Sequence, residues 1–112
     1  MEREVSIKPY VISDRFFDSR SQAYKYGVLM FGYSQSERYN WQIEKAIETL
    51  SVRYNTYPEC RHLPTKSHMY RNIIFDAHLI IYRITHDRIE VLDMLHSASS
   101  IRKIRDVRKI HL

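Results

Sequence analysis

The fold of this 112-residue chain depends most on residues 69–96, MYRNIIFDAHLIIYRITHDRIEVLDMLH. They contain three runs rich in Ile, Val, Leu and Tyr, at 69–75, 78–85 and 88–96, and two residues separate each run from the next. Runs of this length and composition favour β-strands, and two-residue links favour tight hairpins. The sequence therefore predicts a three-stranded antiparallel meander.

Upstream of the meander, the pattern of apolar residues is helical. One apolar stripe lies within 13–33 and ends before Gly32, and a second lies within 39–54. Ser34 and Glu37 have the spacing of a capping box, which predicts a helix start at this point. Two helices this close along the chain should pair as an antiparallel hairpin.

Each end of the chain adds one predicted element. Residues 4–12 predict a short first strand, and Pro9 within it suits an edge or a bend because proline cannot donate to a ladder. Residues 97–112 begin with serines that suit a helix cap. The residues that follow predict a helix with one apolar side and one basic side. The expected fold class is α+β in one domain over 1–112, with an N-terminal strand, an antiparallel helical hairpin packed on a three- to four-stranded antiparallel sheet, and an amphipathic C-terminal helix.

Composition narrows the possible classes of protein. Hydrophobic residues make up 44% of the chain, with only two glycines and three prolines, which opposes disorder. The longest apolar run, 27–33, is far too short to cross a bilayer, and the first residues do not resemble a secretory signal. The single cysteine, Cys60, fits a reducing compartment. We therefore expect a cytoplasmic protein without membrane contact.

The net charge of +5 is concentrated at the C-terminal end. In residues 97–112, called the tail below, five cations stand against Asp106, which leaves +4 in the tail and +1 in the rest of the chain. Such a basic segment suits binding to nucleic acid, an acidic protein or an anionic membrane surface, and a solvated helix end is the plain alternative. The five cations are Arg102, Lys103, Arg105, Arg108 and Lys109.

Five short fragments are more informative together than alone, namely YKYG at 24–27, AIETL at 46–50, PECRHLP at 58–64, HLIIYRI at 78–84 and RIEVLDMLH at 88–96. In this order and spacing they resemble the RelE/ParE superfamily of bacterial toxins from type II toxin-antitoxin modules, over residues 13–105. The resemblance implies a plasmid or chromosomal stabilisation module, a cognate antitoxin that forms a hetero-oligomer with the toxin, and no cofactor.

Two activities occur in the superfamily, and the residues on the two faces of the predicted sheet help to decide between them. With two-residue turns, Phe75 lies opposite His78 and Thr85 opposite Arg88, and side chains alternate between the faces from there. The face assigned to the helical hairpin then carries Ile73, Phe75, Ile80, Tyr82, Ile84, Ile89, Val91 and Leu95, with Arg71 and Asp93 as its charges. The second face carries Tyr70, Asn72, Ile74, Leu79, Ile81, Arg83, Glu90, Leu92, Met94 and His96, with Arg83 and Glu90 as a cross-strand ion pair.

In the RelE-like ribonucleases, the second face is the cleft that cuts messenger RNA, and cations line it. By strand alignment, the basic positions of that cleft fall here on Tyr70, Asn72, Leu79 and Ser99. None is charged at neutral pH, and each lost oxyanion donor typically costs about 2.7–4 kcal/mol. The resemblance therefore favours the ParE branch, whose members look like non-nucleolytic inhibitors of DNA gyrase.

Two alternatives stay open at this point. One is a RelE-like, ribosome-dependent endoribonuclease acting on messenger RNA, with His96, Tyr70 and Arg71 as weak catalytic candidates. The other is a non-toxic binding module of the same fold, in which the basic tail contacts its partner without further activity. The ParE-like hypothesis itself implies no catalytic residue.

The binding hypotheses name their own residues. For the target we expect contacts from Arg102, Lys103 and Arg105 of the tail, with Arg83 and His96 at the end of the sheet. For the antitoxin we expect the apolar residues of the second face, unless the tail folds over them, because large exposed apolar surfaces mark interaction sites. These residues are Leu79, Ile81, Leu92 and Met94.

A metal site is not expected from the sequence. Cys60 and His62 have the spacing of a ligand pair, but the other histidines, among them His68 and His78, supply no second pair with zinc spacing. We therefore interpret these residues as structural.

Overall fold

A computed structural model describes residues 7–112 of the chain. Of the predicted first strand at 4–12, residues 10–12 form a strand, and residues 4–6 lie outside the described residues. In chain order the elements are β1 (Tyr10–Ile12), α1 (Asp14–Phe31), α2 (Tyr33–Glu48), α3 (Leu50–Arg53), β2 (Tyr70–Ile74), β3 (His78–Ile84), β4 (Ile89–His96), α4 (Ile101–Asp106) and a 3-10 turn (Val107–Lys109).

The sheet has the strand order β1-β4-β3-β2. The meander of β2, β3 and β4 is antiparallel as predicted, and Phe75 N–H donates to the His78 carbonyl at 2.9 Å in the first tight turn. β1 pairs with β4 in parallel, with Tyr10 opposite Ile89. The prediction of an antiparallel sheet is therefore wrong for β1, at this edge of the sheet. The cause is the long connection, because α1 to α3 and then β2 and β3 separate β1 from β4, and a long crossover permits the parallel pairing that a tight hairpin excludes.

The helical hairpin has a one-residue link. Gly32 ends α1 and precedes α2 with φ 89° and ψ 164°, a backbone conformation that strongly favours glycine. The predicted capping box does not form, because α2 already begins at Tyr33 and Ser34 lies inside its first turn. The Glu37 carboxylate instead accepts a hydrogen bond from the Tyr24 hydroxyl at 2.5 Å, which raises the pKa of Tyr24 to about 12.

The later helices are shorter than their apolar stripes suggest. α2 stops at Glu48, where the Thr49 hydroxyl donates to the Ala46 carbonyl at 2.7 Å, and α3 continues after this break. α4 begins after Ser100, whose hydroxyl accepts from the Lys103 N–H at 3.2 Å. None of the helices within 7–112 is both long and apolar enough to cross a bilayer.

Two apolar clusters cover the two faces of the sheet. The hairpin-side cluster consists of Phe16, Ile43, Ile47, Leu50, Tyr54, Ile73, Ile80, Tyr82, Ile89, Val91 and Met94. The tail-side cluster consists of Cys60, Leu63, Ile81, Leu92, Leu95, Ile104 and Val107. The sheet therefore lies between the hairpin and the tail.

A β-bulge in β4 changes the predicted faces. Tyr82 lies opposite Val91, but Ile81 lies opposite Asp93, so Leu92 is an extra residue in β4. One extra residue shifts the alternation of the strand beyond the bulge, here from Met94 onward. Three predicted face assignments are therefore wrong, since Leu95 lies in the tail-side cluster and the hairpin side receives Met94 and His96.

Asp93 stabilises the bulge. Its side chain is 2% exposed and accepts from the Met94 N–H at 2.8 Å and the Ser19 hydroxyl at 2.6 Å. Arg15 lies 3.4 Å away as its ionic partner. The contacts with Ser19, Met94 and Arg15 together engage both oxygens of this buried carboxylate.

Candidate functional site

The tail covers the second face of the sheet. Ile104 and Val107 are buried, and they pack against the fully buried Ile81 and Leu92 of the central strands. The apolar side of the amphipathic tail thus lies on the sheet, which is one of the two covers that the sequence leaves open for this face. The opposite side of the tail is left for its cations.

The four residues expected to contact the antitoxin do not share one exposed surface. Ile81 and Leu92 are buried beneath the tail, Leu79 is partly buried at the edge of that cluster, and Met94 is buried under the hairpin. The tail supplies their apolar cover, and the bulge moves Met94 to the other face. Their contact with an antitoxin stays a prediction, and for Ile81 and Leu92 it requires the tail to move.

An ion-pair group lies at the end of the tail-side face. Arg83 Nε is 2.7 Å from one oxygen of Glu90, as the predicted cross-strand pair requires, and Arg88 Nη2 is 2.9 Å from the other. The side chains of Arg83 and Glu90 are 12% and 9% exposed. Burial disfavours the ionised carboxylate, but the hydrogen bonds from the two arginines outweigh it and lower the pKa of Glu90.

The same two arginines hold the backbone of the tail. Arg83 Nη2 donates to the Ile110 carbonyl at 3.1 Å, and Arg88 Nη2 donates to the Leu112 carbonyl at 3.1 Å. We call Arg83, Arg88 and Glu90 the tail clamp. Arg83, expected to contact the target, thus makes its contacts within the molecule and is largely buried.

The cations of the tail face solvent. Arg102, Lys103, Arg105, Arg108 and Lys109 are all exposed. Within the part of the chain that the structure describes, Lys109 is the one member of this group with an ionic partner, Asp106 at 3.2 Å. Four cations are therefore available to a partner, and they include the three expected to contact the target.

His96 lies beside a second histidine rather than on the tail-side face. His78 is its direct partner across β3 and β4, and the two ring centroids are 5.7 Å apart. The Tyr39 hydroxyl lies 2.8 Å from His78 Nδ1, and His96 Nδ1 accepts from the Ala98 N–H at 3.0 Å. Burial, and then the neighbouring His96, lower the pKa of His78.

Both histidines line a cavity of about 750 Å³ between α1 and the end of β4. Arg15 and Lys103 also line it, and Asp18 and Asp93 balance their charge. The sequence did not indicate this site, because strand alternation assigns faces as if no bulge were present. The bulge in β4 is what brings His96 next to His78. The signal available was Asp93, a carboxylate inside an otherwise apolar run.

The three weak catalytic candidates are not brought together. Tyr70 is at the opposite end of the sheet from His96, where its hydroxyl accepts from Arg83 at 3.3 Å. Arg71 donates to the backbone carbonyls of His68 and Tyr57 at 2.8 and 2.9 Å. The arrangement of these residues is that of separate structural contacts.

No group of three or more His, Cys, Asp or Glu side chains in residues 7–112 is arranged to hold a metal ion. Cys60 is buried in the tail-side cluster, and burial raises the pKa of its thiol. A raised pKa leaves the thiol protonated at neutral pH, which disfavours metal binding.

Comparison with known proteins identifies the family. Residues 10–101 match the model of the ParE toxin of type II toxin-antitoxin system, parDE. The chain belongs to the ParE toxin family. The solved structure described as "Chromosomal ParDE TA system from P. aeruginosa" is similar over 81% of this chain and 97% of that chain, with a TM-score of 0.65 and 12% identity. The search of curated proteins gave no match.

The protein is thus a ParE toxin of a type II toxin-antitoxin system, and a cognate antitoxin is its partner. The expected family is confirmed by the family match, and the expected fold by the similarity to the solved structure. The family match ends at residue 101, so the cations of the tail lie beyond it.

Proposed function

We propose that this ParE toxin inhibits DNA gyrase by binding it, catalyses no reaction itself, and is neutralised by its antitoxin. The observation that supports binding without catalysis is the state of the tail-side face. Apolar residues fill this face and the tail covers it, while the charges at its end pair with one another in the tail clamp. A cleft that cuts RNA needs accessible cations at this place.

The residues at the expected basic positions support the same conclusion. Tyr70 and Leu79 are partly buried against the tail-side cluster, and Asn72 is 6% exposed. Buried side chains without a positive charge stabilise the dianionic phosphorane of RNA cleavage less than exposed lysines or arginines would. The face is built to be covered rather than to perform phosphoryl chemistry.

The exposed tail is the best candidate for contact with the target. Arg102, Lys103 and Arg105 are exposed and have no ionic partner within residues 7–112. Charged rims mainly determine association rate and specificity, so these cations would guide the toxin to a negatively charged target. Contact of the target with His96 would occur through the neighbouring cavity, which Lys103 also lines.

A supercoiling assay with purified gyrase tests the proposal. We expect wild-type toxin to inhibit supercoiling, and the triple variant Arg102→Gln, Lys103→Gln, Arg105→Gln to need at least tenfold more protein, since three charges are lost. The triple variant Lys25→Gln, Arg53→Gln, Lys66→Gln removes three exposed cations elsewhere and is the matched control. Normal supercoiling at saturating wild-type toxin overturns the proposal.

Antitoxin contact at the tail-side face has its own test. If the antitoxin binds Ile81 and Leu92, the tail must leave them, so amides around Ile104 and Val107 should exchange faster in the complex than in free toxin. Equal or slower exchange at these amides would place the antitoxin elsewhere on the toxin.

The histidine cavity favours a second candidate function, the cleavage of messenger RNA. His78 and His96 lie side by side with Lys103 and Arg15 in one cavity. RNA cleavage without a metal needs a base for the ribose hydroxyl and an acid for the leaving oxygen, and two imidazoles can fill these roles. Ribosome-dependent cleavage that disappears in both His78→Gln and His96→Gln would select this function over gyrase inhibition.

A further inference from the structure

The exposed cations of the tail lie on a segment that contacts the sheet at several points. Ile104 and Val107 fix it through apolar contacts, and the clamp arginines bind the carbonyls of Ile110 and Leu112. A flexible basic segment loses its freedom when it binds, whereas one already held in place does not. The tail is therefore organised before any partner arrives.

The tail cations suit a partner made of regularly spaced negative charges. Arg102 and Arg105 are three positions apart, which places them about 4.5 Å apart along the axis of α4. The full group, from Arg102 to Lys109, extends over about 10 Å. Duplex DNA carries one phosphate charge for about every 1.7 Å of its axis, so several phosphates come within reach.

The composition of the tail favours phosphates over an acidic protein surface. Residues 97–112 contain no Phe, Tyr or Trp, the side chains that anchor most protein interfaces. Three of the five cations are arginines, and the planar guanidinium matches the geometry of a phosphate. Phosphate contact requires positive charge and position, and the tail supplies both.

We propose that the tail of this toxin binds the phosphate backbone of duplex DNA, and that the tail clamp positions it for this contact. The cations would touch the DNA, while Arg83 and Arg88 act through the backbone of the tail. The inference goes beyond gyrase inhibition, because DNA binding by the toxin alone does not depend on the enzyme. If the toxin both inhibits gyrase and binds DNA, the tail contacts the DNA that is bound to gyrase.

The test measures the affinity of the full chain for a 20-base-pair duplex of random sequence, by fluorescence anisotropy between 50 and 200 mM NaCl. Four to five phosphate contacts give a slope of log K against log salt of about −4, or a loss of about 100- to 500-fold over this range. Arg102→Gln and Arg105→Gln should each reduce the slope by about 1. Lys25→Gln, on the exposed surface of α1, should leave it unchanged.

The clamp has a separate readout. Arg83→Gln should weaken DNA binding several-fold and speed amide exchange in the tail, although Arg83 itself makes no contact with DNA. Arg102→Gln should weaken binding without changing this exchange, which separates a positioning residue from a contacting one. Unfolding midpoints of all variants show whether the fold is retained.

The outcomes distinguish this inference from the proposed function. Absent or salt-insensitive DNA binding overturns it, and so does a slope that Lys25→Gln reduces as much as Arg102→Gln. If toxin that fails to bind DNA still inhibits gyrase, the tail meets the gyrase protein, and only the DNA inference is lost. If toxin binds DNA with the expected slope but leaves supercoiling unchanged, gyrase inhibition is lost and the inference stands.

Discussion

The two sides of the sheet are stabilised in different ways. The hairpin-side cluster joins eleven buried residues from the helices and the three strands of the meander. Among the described residues, the tail-side cluster joins seven, of which the tail supplies Ile104 and Val107, while Ile110 of the tail packs against it partly buried. Because apolar burial provides most of the free energy of folding, the hairpin side maintains the fold, while the tail side holds one short segment.

The polar contacts of the two sides also differ. On the hairpin side, the Tyr82 hydroxyl donates to the Tyr54 carbonyl at 2.6 Å, and burial raises the pKa of Tyr82. On the tail side, the corresponding contacts are ionic and run through the tail clamp. Ionic contacts respond to pH and salt, so the hold on the tail weakens under solution conditions that weaken the clamp.

The largest expected effect separates the two clusters directly. Ile80→Ala leaves a cavity in the hairpin-side cluster and should lower the free energy of unfolding by about 3–4 kcal/mol. Val107→Ala should lower it by about 1 kcal/mol, because the short tail can shift to fill the space. Urea unfolding measures both values, and equal losses would contradict the difference between the two sides.

The next effect concerns the tail clamp. Glu90→Gln removes the carboxylate that faces Arg83 and Arg88 and should lower the free energy of unfolding by about 2 kcal/mol at pH 7. The pKa of Glu90 is lowered in the folded state, so its contribution is complete above the pKa of the unfolded chain and is lost as pH falls through the folded value. Unfolding from pH 7 to pH 3 should therefore show a steeper loss for wild type than for Glu90→Gln. Parallel curves would contradict this role.

A smaller effect lies inside the hairpin. The Ser36 hydroxyl is buried without a hydrogen-bond partner among the described residues, and a Cβ placed on Gly27 would lie 2.8 Å from it. Ser36→Ala should stabilise the protein by about 1 kcal/mol, since it removes a buried unpaired hydroxyl and favours the helix. Gly27→Ala should then stabilise further in the Ser36→Ala background and less, or not at all, in wild type. Thermal unfolding of the four proteins in this cycle tests the coupling.

The smallest effect is a pH dependence at His78. Its pKa is lowered in the folded state, chiefly by burial, so the unfolded chain binds a proton more readily than the folded one. Stability should fall as pH drops below the ordinary imidazole pKa of about 6.5 and level off once folded His78 is protonated. His78→Gln should show a shallower fall between pH 7.5 and 5.5 than wild type, and parallel curves would contradict this role of His78.

The fold was largely predictable because its main signals are local. Two-residue links fixed both hairpins and the pairing next to their turns, and the amphipathic pattern of the tail gave Ile104 and Val107 a shared apolar side. The parallel pairing of β1 was not predictable in this way. It joins residues such as Tyr10 and Ile89, which are distant in sequence and carry no mark of their relative direction.

The candidate site was less predictable, for two physical reasons. The bulge adds one residue at Leu92, and strand alternation alone gives no position for an insertion, so His96 was assigned to the wrong face. The clamp acts on the carbonyls of Ile110 and Leu112, and a backbone acceptor has no side-chain signature. Arg83 and Glu90 were recognised as a pair, but their hold on the tail emerged only from the structure.

The order of strands in the sheet also determines when the sheet can form during synthesis of the toxin. β1 is made first, yet its neighbour β4 ends at His96, and the Ser13 hydroxyl that begins α1 donates to the carbonyl of Leu92. Contacts across so long a sequence separation form slowly, because a large loop must close first. The sheet therefore stays unfinished until β4 has left the ribosome, however early β1 emerges.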